Sequence, residues 1–272
     1  MTQKPEPFLE EAIQAALIAG STALEIYDQS EDYEVQSKAD DSPLTIADRK
    51  SHEIIMERLK STEIPILSEE GKDIPYEERK QWEEFWLVDP LDGTKEFIKK
   101  NGEFTINIAF IQVNKPVVGV IYAPVLDELY FGYESIGAYK IEHASQFIGT
   151  SLPLSVYREK GAKLPLMCEN NKMVVVASRS HMSPETQEYI DKLKQEHGEI
   201  EFISRGSSLK LCMVAEGQAD VYPRFGPTME WDTAAGHAIA LASGCKVTLT
   251  DEKTPLRYNK ENLLNPFFIV KQ

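Results

Sequence analysis

Apolar residues recur at three- and four-residue intervals near the start of the chain: Leu9, Ala12, Ile13, Ala16, Leu17, Ala23, Leu24 and Tyr27. That period is one face of an α-helix, and Pro7 suits its first turn, where an amide goes unbonded in any case. After a break at Ser42-Pro43 a second helix is predicted over 46–59, with Ile54, Ile55 and Leu59 inward and Asp48 in the first turn. A short apolar strand, Ile66-Leu67, ends at Ser68-Glu69-Glu70, and 72–84 reads as a charged loop or short helix. The period then shifts. Segments 85–88, 104–113, 117–122, 129–133 and 138–141 are short and rich in β-branched and aromatic residues, with breaks such as Asn114-Lys115-Pro116 between them. Strands in succession imply an antiparallel sheet flanked by the N-terminal helices.

The second half alternates. Strands are predicted at 173–177, 201–204, 219–222, 246–250 and 267–271, and helices at 184–195, 208–216 and 233–243. Alternation of this kind implies an α/β unit. The mixed stretch 144–172, with Pro153 and Pro165, is the expected linker. Two subdomains are therefore expected: an α+β unit over 1–150 and an α/β unit over 151–272.

Composition narrows the function. The 272 residues are 42% hydrophobic and 27% charged, ordinary for a globular protein able to bury a sizeable core. Against 44 acidic residues stand 29 basic ones, a net charge of −15. Such a surface repels nucleic acid and anionic lipid. It equally repels a phosphorylated substrate, so a phosphate ester would need bound cations to reverse the field locally. Cys168, Cys212 and Cys245 are scattered and form no metal-binding pair, which fits a reducing cytoplasm. The N-terminus lacks the basic start and apolar run of a secretory signal, and the longest apolar stretches, 106–113 and 117–123, are too short to span a bilayer.

The chemistry concentrates at Asp89-Pro90-Leu91-Asp92-Gly93-Thr94. A strand delivers Asp89, and Pro90, with its fixed φ, is expected to end that strand in a stiff turn. The turn would bring Asp89, Asp92 and the Leu91 carbonyl to one point, an oxygen set suited to Mg²⁺. Gly93 permits close approach, and Thr94 opens a short helix whose first amides suit an anion. Taken alone, the string also describes a strand, a turn and a helix cap without a metal. Glu69, nearer its strand end than Glu70, would add a carboxylate bridging two metals. Asp232, in Trp231-Asp232-Thr233-Ala234-Ala235-Gly236, is expected to cap the 233–243 helix and bring a further ligand from the second half. Asp48 and Thr94 form a candidate pair in which a hydroxyl bonded to a carboxylate orients and deprotonates water. His181, Ser207, Lys210 and Arg224 follow strands of the second half, where α/β units hold ligands. Each of these is also a common surface or capping residue.

These three ordered strings, Glu69 upstream, Asp89–Thr94 and Trp231–Gly236, resemble the inositol monophosphatase superfamily, and the likeness extends through nearly the whole chain. Within it, Trp86-Leu87-Val88-Asp89-Pro90-Leu91-Asp92-Gly93-Thr94-Lys95-Glu96-Phe97-Ile98 is similar to the CysQ-type 3'(2'),5'-bisphosphate nucleotidases. So are Lys38-Ala39-Asp40, Ser42-Pro43-Leu44-Thr45, Ser178-Arg179-Ser180-His181, Gly206-Ser207-Ser208-Leu209-Lys210 and Tyr222-Pro223-Arg224-Phe225-Gly226-Pro227. Inositol monophosphatases usually carry threonine and asparagine where Lys95 and Glu96 stand.

The resemblance implies a layered α/β/α/β sandwich and a lithium-sensitive phosphatase using two or three Mg²⁺ ions. Glu69, Asp89, the Leu91 carbonyl, Asp92 and Asp232 would bind them, and Asp48 and Thr94 would activate the attacking water. The implied substrate contacts are Glu69, Leu91, Asp92, Gly93, Thr94, His181, Ser207, Lys210, Arg224 and Asp232. The implied reaction converts 3'-phosphoadenosine 5'-phosphate, a by-product of sulfate assimilation, to AMP and phosphate. A cytoplasmic monomer is expected in preference to a dimer, with peripheral association at the inner membrane left open and no nucleic-acid partner. The rivals are an inositol monophosphatase, a fructose-1,6-bisphosphatase-like sugar phosphatase, and a non-catalytic acidic cation-binding protein. Phosphatase motifs and a water-activating pair in one chain argue against the last.

Overall fold

The structure is a computed structural model and describes residues 6–29, 36–37, 43–166, 172–177 and 183–272. Helix α1 (Glu6–Gln29) buries Leu9, Ala12, Ile13, Ala16 and Leu17, the face that the sequence period marks. Strands β1 (Gln36–Ser37) and β2 (Pro43–Leu44) form a two-stranded ladder. Helix α2 (Ile46–Leu59) starts at Thr45, whose hydroxyl accepts from the Ala47 N–H at 3.1 Å while Asp48 accepts from the Thr45 N–H at 2.8 Å. This reciprocal cap satisfies two amides that a helix start leaves open.

Next come β3 (Ile66–Ser68), α3 (Tyr76–Arg79), β4 (Glu84–Asp92), α4 (Thr94–Ile98), β5 (Thr105–Gln112), β6 (Lys115–Ala123), β7 (Glu128–Tyr133), β8 (Gly137–Glu142), α5 (Leu154–Lys160) and β9 (Ala162–Leu164). Strands β3 to β9 form one seven-stranded sheet in sequence order. Only β3 and β4 run parallel, and the crossover that such a pair demands is the α3 segment. The stretch expected as a linker is not one throughout. Helix α5 turns the chain back so that β9 pairs with β8, and this sheet continues past residue 150 to Leu164.

The remainder is β10 (Met173–Ala177), α6 (Pro184–His197), β11 (Ile200–Ser204), α7 (Leu209–Glu216), β12 (Val221–Arg224), α8 (Glu230–Ala242), β13 (Lys246–Leu249) and β14 (Phe268–Lys271). A five-stranded sheet runs β11-β10-β12-β14-β13, with β11, β10 and β12 parallel and β14 antiparallel to both neighbours.

Strand periodicity of two sorts the core. Along β4, Trp86 and Val88 face α1 and α2, whereas Phe85 and Leu87 face α7, α8 and the second sheet. A strand buried on both faces reads as a continuous apolar run, as 85–88 does. Helices α7 and α8 thus lie between the two sheets, giving the expected α/β/α/β layering, to which α6 adds a fifth layer. Helix α6 covers the outer face of the second sheet through Ile190 and Leu193. Gly119 lets α8 rest directly on β6: a Cβ there would sit 2.2 Å from the Ala235 carbonyl oxygen.

Candidate active site

Strand β4 does not stop at Pro90. Asp89 pairs with Asn107 and Asp92 with Thr105, so Pro90 and Leu91 together oppose Ile106 alone. This is a β-bulge, a place where proline's missing N–H breaks no ladder bond. The expected D-P turn is therefore a kink within one strand. The Leu91 N–H donates to Asp89 Oδ1 at 3.0 Å. Gly93 then takes φ +93°, and a Cβ on it would lie 2.2 Å from Ser207 Oγ. Only glycine suits both the backbone and the space.

Three carboxylates meet beside the bulge. Glu69 leaves β3 with its N–H on the Val88 carbonyl at 3.1 Å. One oxygen each from Glu69, Asp89 and Asp232 lie within 4.8 Å of one another. Asp89 is buried, and Asp92 stands close enough for its charge to act on Asp89 and Asp232. Asp232 arrives differently from expectation. Helix α8 starts at Glu230, so Asp232 lies inside the first turn, where its Oδ2 accepts from the Met229 N–H at 2.9 Å. The helix begins earlier because Glu230, fully buried, is tied down by the Asn259 and Lys260 amides at 2.6 and 3.0 Å.

Burial first, then the neighbouring negative charges, pushes Asp89 well above the usual carboxylate range. The same two causes raise Asp232. Asp92 is raised by burial, while Lys210 and the Ser208 hydroxyl pull it back. Four crowded acids of this kind are costly unless a cation shares the space. An all-oxygen donor set with a buried carboxylate at its centre fits a hard divalent ion.

Asp48 and Thr94 do come together. The Thr94 hydroxyl donates to Asp48 Oδ1 at 3.0 Å and lies 3.4 Å from the Leu91 carbonyl oxygen. Asp48 is buried, and its other oxygen is held by the Thr45 backbone and side chain. A hydroxyl that donates to a carboxylate keeps lone pairs with which to accept.

A cleft of about 190 Å³ opens beside the carboxylates, and Asp92, Asp232, Ser207, Lys210, Arg224 and Glu96 are among its walls. Lys210 is buried, which brings its ammonium down to about 8 against the pull of Asp92. Its Nζ donates to the Ser207 carbonyl at 2.7 Å. Arg224 donates to the Pro227 carbonyl at 2.8 Å. His181, with Ser178–Ser180, Asp40 and Ser42, lies outside the described residues.

The profile of the inositol monophosphatase family matches residues 4–267. The chain belongs to the inositol monophosphatase family. Among curated members it is 48% identical to the 3'(2'),5'-bisphosphate nucleotidase CysQ of Salmonella typhimurium, over 96% of this chain and 98% of that one. The Escherichia coli K12 protein of the same name is 47% identical with the same coverage. Among solved structures, CysQ from Bacteroides thetaiotaomicron superposes with a TM-score of 0.91 at 55% identity, over 98% of this chain and 97% of that one. An inositol monophosphatase from Thermotoga maritima shares the fold alone, with a TM-score of 0.71 at 20% identity.

Within this family framework the structure adds residues that the sequence reading passed over. Ser208 Oγ sits 2.8 Å from both Asp92 Oδ2 and the Asp232 carbonyl, and accepts from Asn107 Nδ2 at 2.8 Å. It joins an acid of each half. Its sequence signal was its place beside Ser207, and nothing local distinguishes the two serines. Asn107 is also 3.4 Å from Asp92. Glu103 accepts from the Gly206 N–H at 2.9 Å, and its carbonyl accepts from Ser207 at 2.7 Å. These contacts span about a hundred residues of sequence, so no short motif could carry them.

Proposed function

We propose that the chain is a 3'(2'),5'-bisphosphate nucleotidase, a divalent-cation-dependent phosphomonoesterase that releases the 3'-phosphate of 3'-phosphoadenosine 5'-phosphate and leaves AMP. The observation that carries this reading is the meeting of Glu69, Asp89 and Asp232 beside a cleft walled by Lys210 and Arg224. The likeness to the CysQ relatives supports the substrate.

Glu69, Asp89, the Leu91 carbonyl, Asp92 and Asp232 would hold the cations. When bound, Mg²⁺ supplies positive charge to the ester oxygens and makes water a better nucleophile at neutral pH. The chain's own residues do the rest. Thr94 Oγ1, whose own hydroxyl donates a hydrogen bond to Asp48, would accept a hydrogen bond from the attacking water and orient it for in-line attack. Asp48 receives the proton that passes through Thr94, and its Thr45 contacts fix its orientation. The Gly93 and Thr94 amides hold the phosphate that leaves. Lys210 and Arg224 hold the phosphate that stays, and Arg224 can do so bidentately. His181, Ser207 and Glu96 would complete the nucleotide contacts.

The finer expectations belong to the same proposal: Mg²⁺ as the ion, two or three per site, lithium sensitivity, a place in sulfate assimilation, a cytoplasmic location and a monomeric state. Among the described residues no helix is long and apolar enough to cross a membrane. We place the subdomain boundary between β9 and β10, so that the first unit supplies Glu69, Asp89 and Asp92 and the second supplies Asp232 and the nucleotide contacts.

Phosphate release from 3'-phosphoadenosine 5'-phosphate, inositol 1-phosphate and fructose 1,6-bisphosphate, each with and without Mg²⁺, tests the reading. The expected result is cation-dependent release with kcat/KM at least about a hundredfold higher for the nucleotide, a difference worth about 2.7 kcal/mol. Preference for inositol phosphate would overturn the substrate, and no release from any of them would overturn the activity.

A further inference from the structure

A cavity farther along α8, at His237 and Leu241, has the opposite electrical character to the rest of this acidic molecule. It holds about 400 Å³, and Lys115, Lys246, Lys253 and Arg257 stand around it. No aspartate or glutamate among the described residues lines it. Lys115 has a surface partner, Glu134, at 2.8 Å. Lys246, Lys253 and Arg257 make no ion pair with any described residue. The nearby Asp251 accepts from the Lys253 and Thr254 amides at 2.9 and 2.8 Å, and the Lys253 charge acts on its carboxylate.

Exposed lysines alone are ordinary. Here they ring a buried apolar floor of Val247 and Leu256, with the buried imidazole of His237 in the wall. His237 Nδ1 is 2.9 Å from the Tyr258 hydroxyl. An apolar floor under a cationic rim fits a ligand of matching polarity: a flat apolar body bearing one or two negative charges.

The cavity is also wired to the carboxylate cluster. Tyr258 OH lies 3.3 Å from Thr233 Oγ1, which accepts from Asn265 Nδ2 at 3.0 Å. Asn265 Nδ2 also donates to the Met229 carbonyl at 2.8 Å, and the Met229 N–H donates to Asp232 at 2.9 Å. Four residues, Tyr258, Thr233, Asn265 and Met229, thus connect His237 of the cavity wall to Asp232 of the cluster.

We propose that this cavity is a second ligand site, separate from the cleft, that takes a small organic anion with an apolar body and alters cation binding at Asp232. A hydrogen-bond chain is a route for coupling, and the coupling itself is a free-energy difference to be measured.

The probe is 8-anilinonaphthalene-1-sulfonate, one sulfonate on an aromatic body, titrated by fluorescence into the full chain. The comparison protein carries Lys246→Glu and Lys253→Glu, two exposed changes that leave the basal phosphatase activity and the melting midpoint unchanged. We expect saturable one-to-one binding to the wild type, at least tenfold weaker in the double variant, and weaker still for the uncharged N-phenyl-1-naphthylamine. Equal affinity in both proteins, or no saturable binding, would overturn the site. Calorimetric titration of Mg²⁺ with and without the dye reads the coupling independently of any substrate. A shift of at least twofold in the wild type, absent from the double variant, is expected, and an unchanged Mg²⁺ affinity would overturn the coupling.

Discussion

At the scale of single residues, Asp89 shows how function and stability oppose each other. Its carboxylate is buried, bonded to the Leu91 amide and crowded by Glu69, Asp92 and Asp232. Because burial and like charge raise its folded pKa above the unfolded value, its ionised form destabilises the cation-free protein at neutral pH. Asp89→Asn keeps the Leu91 contact and removes the charge. The cation-free variant should melt higher, by about 2–4 °C for each kcal/mol recovered. It should lose the rise in midpoint that Mg²⁺ gives the wild type, and activity should drop by orders of magnitude. A scan in which Mg²⁺ still stabilises the variant as it does the parent would exclude Asp89 as a ligand.

Thr94 and Asp48 invite a different test, since the roles proposed for them concern water rather than cations. Thr94→Val and Asp48→Asn should each lower kcat by about 10²–10⁴, the usual worth of a proton acceptor. The Mg²⁺-induced shift in melting midpoint should survive in Thr94→Val. Thr94→Ser, which keeps the hydroxyl, should restore most of the rate. Both residues were legible in the sequence as a pair, although 46 positions apart, because the first turn of a helix and the residue after Gly93 are places where such groups gather. Ser208 was not legible, since its partners Asn107, Asp92 and the Asp232 carbonyl come from three other elements.

At the scale of elements, the boundaries of α2 could be read because Thr45 and Asp48 form a local cap. The continuation of β4 through Pro90 could not, because the residue that makes it a bulge, Ile106, lies on another strand. The early start of α8 was hidden for the same reason: Glu230 is anchored by Asn259 and Lys260, about thirty positions away. Sheet order in the first half followed from successive strands, but the return of β9 to that sheet depends on α5, which the mixed composition of 144–172 concealed.

Helix α8 also carries a pH signature. Burial lowers His237 to about 3, with Lys115 adding to the effect. The folded state therefore holds the imidazole neutral, whereas the unfolded chain takes up a proton near 6.5. Stability from this group is full above about pH 6.5 and is lost as pH falls from there towards 3, by about 2 kcal/mol at pH 5. The acidic cluster has raised pKa values and shifts stability in the other sense on acidification, so the comparison must be with a variant. His237→Gln should show a shallower fall in melting midpoint between pH 7 and 5 than the wild type, measured in one buffer series. Parallel curves for the two proteins would contradict the assignment.

At the scale of the molecule, two sheets share one interior. Phe85 and Leu87 of the first, Tyr222 and Val270 of the second and Ile239 of α8 belong to a single buried cluster. That shared core holds Asp232 against Asp89 although 143 positions separate them. On the proposed reading it also explains how a chain of net charge −15 can handle a doubly phosphorylated substrate: Lys210, Arg224 and the cations that the acids collect would answer the repulsion locally. The most direct test of this account is calorimetric titration of Mg²⁺ into the full chain and into its Asp89→Asn and Asp232→Asn variants, one acid from each half. The account predicts that each substitution weakens Mg²⁺ binding at least tenfold while the protein stays folded. Unchanged binding in the Asp232→Asn variant would contradict it, because the two halves would then not share a site.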